Sequence, residues 1–253
     1  MAATRIVPTP EPARNRASAA TERLSRAEAA GALPELGVYY DALQEAYGPQ
    51  HWWPGRTRFE VIVGAILTQN TSWSNVEKAI AGLRRAHLLS PEAIEQVSFE
   101  KLSELIRPSG YFRQKARKLK AFVDFLRRRH ERSLTKMFAT PTDGLREQLL
   151  GIHGIGPETA DSILLYAGDH LVFVVDAYAR RILERHGLAE GKESYDAVRR
   201  LFETNLPASA GLFNEYHALI VYVGKNFCRK SNPACEQCAL RAFLPRSEEE
   251  RQR

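Results

Sequence analysis

The stretch Leu150-Gly151-Ile152-His153-Gly154-Ile155-Gly156-Pro157-Glu158-Thr159-Ala160-Asp161 constrains this chain more than any other. Gly154 and Gly156 bracket an isoleucine immediately ahead of Pro157. Glycine adopts positive φ and lets backbone come close to a neighbour, while proline suits the first turn of a helix, where its missing N–H is not needed. The stretch predicts two helices meeting at a tight hairpin. The N–H groups opening the second helix, reinforced by its dipole, favour an anion such as a phosphate. On its own, such a turn also serves plain helix packing.

The rest of the chain agrees with a helical architecture. Leu36, Tyr39, Tyr40, Leu43 and Tyr47 recur at three- and four-residue spacing, and similar faces run near 59–69, 74–85 and 115–128. Further helices are expected near 143–150, 157–167, 177–187, 193–204 and 212–224. The only strand-like run, Leu171 to Val175, is short and sits between Asp169 and Asp176, so the expected fold class is all-α. With 253 residues, 44% of them apolar, the chain can bury one large core or two modest ones. No internal repeat marks a solenoid. The longest apolar runs, such as Val61 to Leu67, fall well short of a bilayer span. Residues 1–32 carry Pro8, Pro10 and Pro12 with few large apolar side chains and read as a disordered tail; a transit-peptide reading is opposed by Glu11, Glu22 and Glu28. Residues 246–253 read as a charged tail. A net charge of +6 suits a polyanionic partner, or simply a solvated basic surface.

About twenty residues beyond the hairpin, Val172-Phe173-Val174-Val175-Asp176-Ala177-Tyr178 delivers a single carboxylate to the start of a helix. Asp176 could cap that helix and do nothing else. Further motifs precede it in order: Trp52-Trp53-Pro54, Phe59-Glu60, Leu67-Thr68-Gln69-Asn70-Thr71, and Arg107-Pro108-Ser109-Gly110-Tyr111-Phe112. Over roughly residues 36–245 this series resembles the helix-hairpin-helix DNA glycosylase superfamily, endonuclease III-like, and most of all the bacterial branch containing 3-methyladenine DNA glycosylase III. The resemblance implies a two-lobed helical fold. A barrel at 51–170 would carry the hairpin, a discontinuous second lobe would form from 33–50 and 171–227, and a cysteine loop would span 228–245. It also implies that Asp176 is the catalytic carboxylate, that Gln69 fills the gap left by a flipped nucleotide with Asn70 beside it, and that Gly154, Ile155, Gly156 and Thr159 meet DNA.

One departure bears on mechanism. Bifunctional endonuclease III enzymes carry a lysine after the hairpin, whose amine forms a Schiff base with the sugar. Glu158 stands at that position. A carboxylate forms no imine, so the expected enzyme is a monofunctional glycosylase that leaves an abasic site, with no AP lyase activity. Its base would be an alkylated purine, whose positive charge stacks well on aromatic faces. Trp52, Trp53 and Phe59 are the candidates for such a pocket, although each could equally be core. Glu158 could accept a hydrogen bond from an exocyclic amine or be a solvated first-turn acid. The alternatives are an endonuclease III-like enzyme for oxidised or mismatched pyrimidines with weak lyase activity, and a non-catalytic binder of damaged DNA.

Cys228, Cys235 and Cys238 match the spacing of the first three ligands of the endonuclease III-type 4Fe-4S cluster, but Leu244 stands at the fourth position. A 4Fe-4S cluster with another ligand is expected. A zinc site borrowing His217 and a metal-free loop stay open. Too few for a disulfide framework, these cysteines suit a reducing compartment, so a cytoplasmic, nucleoid-associated and non-secreted protein is expected. The expected partner is double-stranded DNA containing damaged bases. No membrane and no soluble cofactor are expected, and the protein is expected to be a monomer.

Overall fold

The computed structural model describes residues 36–245, and the predicted tails at 1–32 and 246–253 lie outside them. Among the described residues every regular element is helical. In chain order these are α1 (Leu36–Tyr47), α2 (Arg58–Leu67), α3 (Trp73–Arg85), α4 (Pro91–Gln96), α5 (Phe99–Leu105), α6 (Phe112–His130), α7 (Leu134–Phe138), α8 (Thr142–Leu150), α9 (Pro157–Ser162), α10 (Ala177–Arg185), α11 (Tyr195–Asn205) and α12 (Ala210–Asn226). The expected all-α fold is what forms. No helix in this range is long and apolar enough to cross a membrane.

Local chemistry sets the boundaries. Thr57, Ser90, Ser98, Ser133, Ser194 and Ser209 each accept a backbone N–H from the first turn of the helix that follows. Three short helices, α4, α5 and α7, are not expected from the periodicity. With barely two turns or fewer, they are too short to show a period, and only their serine caps mark them. The run Leu171–Val175 is extended but pairs with no neighbouring strand; Val172 to Val175 are buried instead.

Two packing features shape the molecule around the hairpin. Helix α2 is buried along nearly its whole length and crosses α9 and the π-helical turn Ile163–Ala167 that continues it. Helix α1 returns to the far end of the chain, packing on α11 and α12, with Tyr216 donating to the Leu36 carbonyl at 3.0 Å. A buried ion pair ties the hairpin down. Arg146 on α8 donates from Nε to Asp161 on α9 at 2.7 Å and from Nη2 to Asp196 on α11 at 2.8 Å. Asp161 is wholly buried, so its removal would leave Arg146 with only the partly exposed Asp196 as a carboxylate partner.

Candidate active site

Helices α2, α3, α9, α10 and α12 converge on a cavity of about 410 Å³, a volume within the range of small-ligand sites. Its apolar wall is built from three indoles. Trp53 meets Trp73 edge-on, ring centroids 5.1 Å apart and planes at 90°, and lies 5.1 Å from Trp52 and 5.2 Å from the buried Tyr166. Gly64 permits this, because a Cβ there would come within 3.0 Å of the Trp53 ring. A larger groove of about 700 Å³ between α6 and the hairpin mixes Arg128, Arg129, Asp124 and Glu147 on open surface. Paired carboxylates beside an aromatic wall make the smaller cavity the chemical candidate.

Asp176 sits at the mouth of α10, its side chain 13% exposed. Its two oxygens have separate duties. Oδ1 accepts from the backbone N–H groups of Tyr178 at 2.9 Å and Ala179 at 2.8 Å, capping the helix. Oδ2 lies 3.7 Å from His217 Nε2. Capping and a chemical role are therefore compatible in one side chain. Glu158, in the first turn of α9, lines the same cavity. As a residue it is exposed, but protein crowds its carboxyl. Desolvation first, and the Asp176 charge second, push that carboxyl up to about 7. The Tyr166 hydroxyl meets His217 Nδ1 at 2.5 Å, and burial holds the imidazole below its ordinary range, hence neutral near pH 7.

The residues expected from sequence divide. Trp52, Trp53, Gln69, Glu158, Thr159 and Asp176 all line the cavity. Phe59 does not: only 4% exposed, it faces the core of α2, and Trp73, which none of the sequence motifs singles out, supplies the third ring. Gln69 is already engaged in the hairpin, donating to Thr159 Oγ1 at 2.7 Å and to the Gly154 carbonyl at 3.3 Å and accepting from Lys118 Nζ. Asn70 beside it is exposed and left-handed at φ 52°. Gly154 needs its φ of 80° and lies under the Lys118 side chain. Gly156 is exposed at the cap of α9. The Ile155 side chain is buried and its N–H closes the turn onto the Ile152 carbonyl, and the buried Thr159 hydroxyl is occupied by Gln69. Ile155 and Thr159 thus help to hold the hairpin together. Lys225 lines the cavity from α12, an amine that no sequence motif marks. The buried Lys115 of α6 lies outside the cavity lining. It donates to the carbonyls of Leu67 at 2.9 Å and Ser109 at 2.5 Å, with burial first and Lys118 second lowering its amine to about 8.

Cys228, Cys235 and Cys238 line a narrow cleft with Leu244, whose side chain offers no donor atom at the fourth corner. His217 is not among them; it belongs to the wall behind Asp176. No cluster of three or more His, Cys, Asp or Glu side chains among the described residues is arranged to hold a metal. These residues therefore do not fit a four-thiolate cluster, and no chemistry is assigned to one. Protein contacts hold the loop. Arg185 donates to Cys228 Sγ at 3.1 Å, Arg181 donates to the Cys228 carbonyl at 2.7 Å, and the Tyr47 hydroxyl accepts from Ala239 N at 3.0 Å.

Residues 63–208 match the family described as HhH-GPD superfamily base excision DNA repair protein. The chain is 48% identical over 206 residues to a Methanocaldococcus jannaschii protein named "Putative DNA repair glycosylase", covering 81% of this chain and 93% of that one. It is 28% identical over 192 residues to an endonuclease III of Sulfolobus acidocaldarius, covering 75% and 83%. Among solved structures, the 3-methyladenine DNA glycosylase MagIII of H. pylori bound to 1,N6-ethenoadenine aligns with a TM-score of 0.66 and 31% identity, over 74% of this chain and 95% of that one. A trapped endonuclease III–DNA covalent intermediate aligns with a TM-score of 0.70 at 22% identity, over 85% and 95%, a likeness of fold.

Proposed function

Because the chain belongs to the HhH-GPD superfamily of base excision DNA repair proteins, we propose that it is a monofunctional DNA N-glycosylase that hydrolyses the N-glycosidic bond of an alkylated purine flipped from duplex DNA. The observation carrying this reading is Asp176, one oxygen fixed as a helix cap while the residue lines an indole-walled cavity, with a glutamate on the same cavity wall where a lyase would carry its lysine.

Each part has a physical task. A damaged base leaves the stack at a cost of a few kcal/mol, smaller when pairing is already impaired. Trp52, Trp53 and Trp73 offer π faces to an electron-poor, cationic ring. As the bond breaks, positive charge develops on the deoxyribose, and the Asp176 carboxylate stabilises that charge and orients water. A cationic base departs neutral and needs no strong acid. Glu158, with its carboxyl near 7, can accept from an exocyclic amine when ionised. Likeness to the H. pylori 3-methyladenine glycosylase, solved with 1,N6-ethenoadenine bound, agrees with the substrate class.

One observation favours the endonuclease III-like alternative, namely the Lys225 amine on the cavity wall. The test treats both. Duplexes with single defined lesions are incubated with the protein, and free base is measured with strand cleavage before and after alkali. Alkali-dependent nicking is expected. Alkali-independent nicking with a borohydride-trapped adduct, lost in Lys225→Ala, would establish a lyase instead, and tight binding without base release would leave only a damage-binding protein.

A further inference from the structure

His217 is a buried side chain with an unspent donor. It is 5% exposed, and its Nε2 has no hydrogen-bond partner although it lies in a low-dielectric interior where an unpaired N–H is unfavourable. That nitrogen is directed to one group: Asp176 Oδ2, at 3.7 Å. The other ring nitrogen is fixed by the Tyr166 hydroxyl at 2.5 Å. The tautomer is set by the partners. A carboxylate only accepts, so the proton belongs on Nε2, and Nδ1 accepts from the Tyr166 O–H. The resulting row, Tyr166 O–H to His217 Nδ1 and His217 Nε2–H to Asp176 Oδ2, runs from the core to the cavity.

The geometry around Asp176 shows what the row does. Oδ1 is held by two helix N–H groups, whereas Oδ2 lies 3.7 Å from His217 Nε2. We propose that His217, oriented by Tyr166, is a positioning residue that holds Asp176 Oδ2 toward the reacting sugar and keeps that carboxylate anionic while the base departs. The 3.7 Å separation is longer than a hydrogen bond, so the N–H is a donor in reserve, engaged when a nucleotide fills the cavity. This inference rests on the proposed glycosylase reading.

The test is single-turnover release of methylpurine from methylated duplex DNA, measured across pH with the intact chain. The other titratable groups lining the cavity with Asp176 are Glu158 from α9, Tyr166 from the π-helical turn, Lys225 from α12 and Tyr178 on its own helix. Because Glu158 titrates in the same window, profiles are recorded in both the parent and Glu158→Gln backgrounds. His217→Leu, which keeps bulk and removes the donor, should lower release at neutral pH by roughly 10–100-fold, the loss seen when a hydrogen-bond partner that orients a functional group is removed. It should also move the acidic limb to higher pH, because a carboxylate without its donor is protonated more readily. His217→Gln, whose amide can reach Oδ2, should recover much of the rate and return the limb. Tyr166→Phe should shift the limb in the same direction by less. A uniform rate loss with an unmoved limb and no rescue by Gln would overturn the proposal. If His217→Leu fails to fold, the Tyr166→Phe profile decides, and an unmoved limb there would overturn it equally. No release by the parent, or undiminished release by Asp176→Asn, would instead overturn the glycosylase reading beneath it.

Discussion

Replacing Asp176 separates its two duties, because asparagine and alanine remove different things. The Oδ1 cap of α10 rests on the hydrogen bonds at 2.9 and 2.8 Å from Tyr178 and Ala179. An asparagine amide oxygen accepts both, so Asp176→Asn keeps the cap and forfeits only the favourable interaction of a negative charge with the helix N-terminus, about 0.3–1 kcal/mol. Asp176→Ala loses the cap as well, adding about 1 kcal/mol. For a domain of this size each kcal/mol moves the melting midpoint by about 2–4 °C. Asn should therefore lower the midpoint by at most about 4 °C and Ala by several degrees more. Base release behaves otherwise: both variants lack the anion that answers the charge on the sugar, and both should fall by roughly 10²–10³-fold or more. The assays are differential scanning fluorimetry, and single-turnover release from methylated duplex DNA with alkaline treatment of the abasic product. Two results would refute the reasoning. Asn with near-parental release would reduce Asp176 to a cap, and Asn as unstable as Ala would mean that the Oδ1 hydrogen bonds are not the cap.

Three further outcomes are expected from the geometry. Glu158 has its carboxyl raised from 4.5 to about 7, so the unfolded chain releases its proton first and folding loses stability as pH rises from about 4.5 through about 7; Glu158→Gln should melt higher than the parent at pH 8 and level with it near pH 4, and an equal gap at both pH values would contradict this. A Cβ at Gly154 would lie 2.5 Å from Lys118 Cε on backbone already at φ 80°, so Gly154→Ala should destabilise by about 1–2 kcal/mol from the backbone alone, plus the clash. Adding Lys118→Ala should relieve the steric part in a double-mutant cycle, and strict additivity of the two free-energy changes would rule out the clash. Leu244→Cys completes a four-thiolate set in the cysteine cleft and should raise bound iron and charge-transfer absorbance after anaerobic purification; no gain over the parent would show that the missing thiolate is not what limits iron binding.

Much of this protein is legible in the sequence alone. Amphipathic periods are local, and so are the serine caps and the Gly-x-Gly-Pro turn. They mark the long helices and the hairpin without reference to any tertiary contact. Asp176 is legible for the same reason, since an acid opening a helix after an apolar run is a one-dimensional pattern. The partners of these residues are not. Phe59 and Trp73 are both aromatic residues near the starts of their helices, and only the packing of α2 against α9 turns the first into the core and leaves the second on the cavity. The cysteine spacing foretells a shared cleft, but it takes the folded loop to put the Leu244 side chain among the thiols. His217, 51 residues from Tyr166, and Lys225 become part of the site because α12 packs against α10 and the π-helical turn. Sequence determines what each segment does by itself, through backbone hydrogen bonds and the spacing of apolar side chains. Which distant side chains share one desolvated space depends on how helices cross, and that is decided by the fold as a whole.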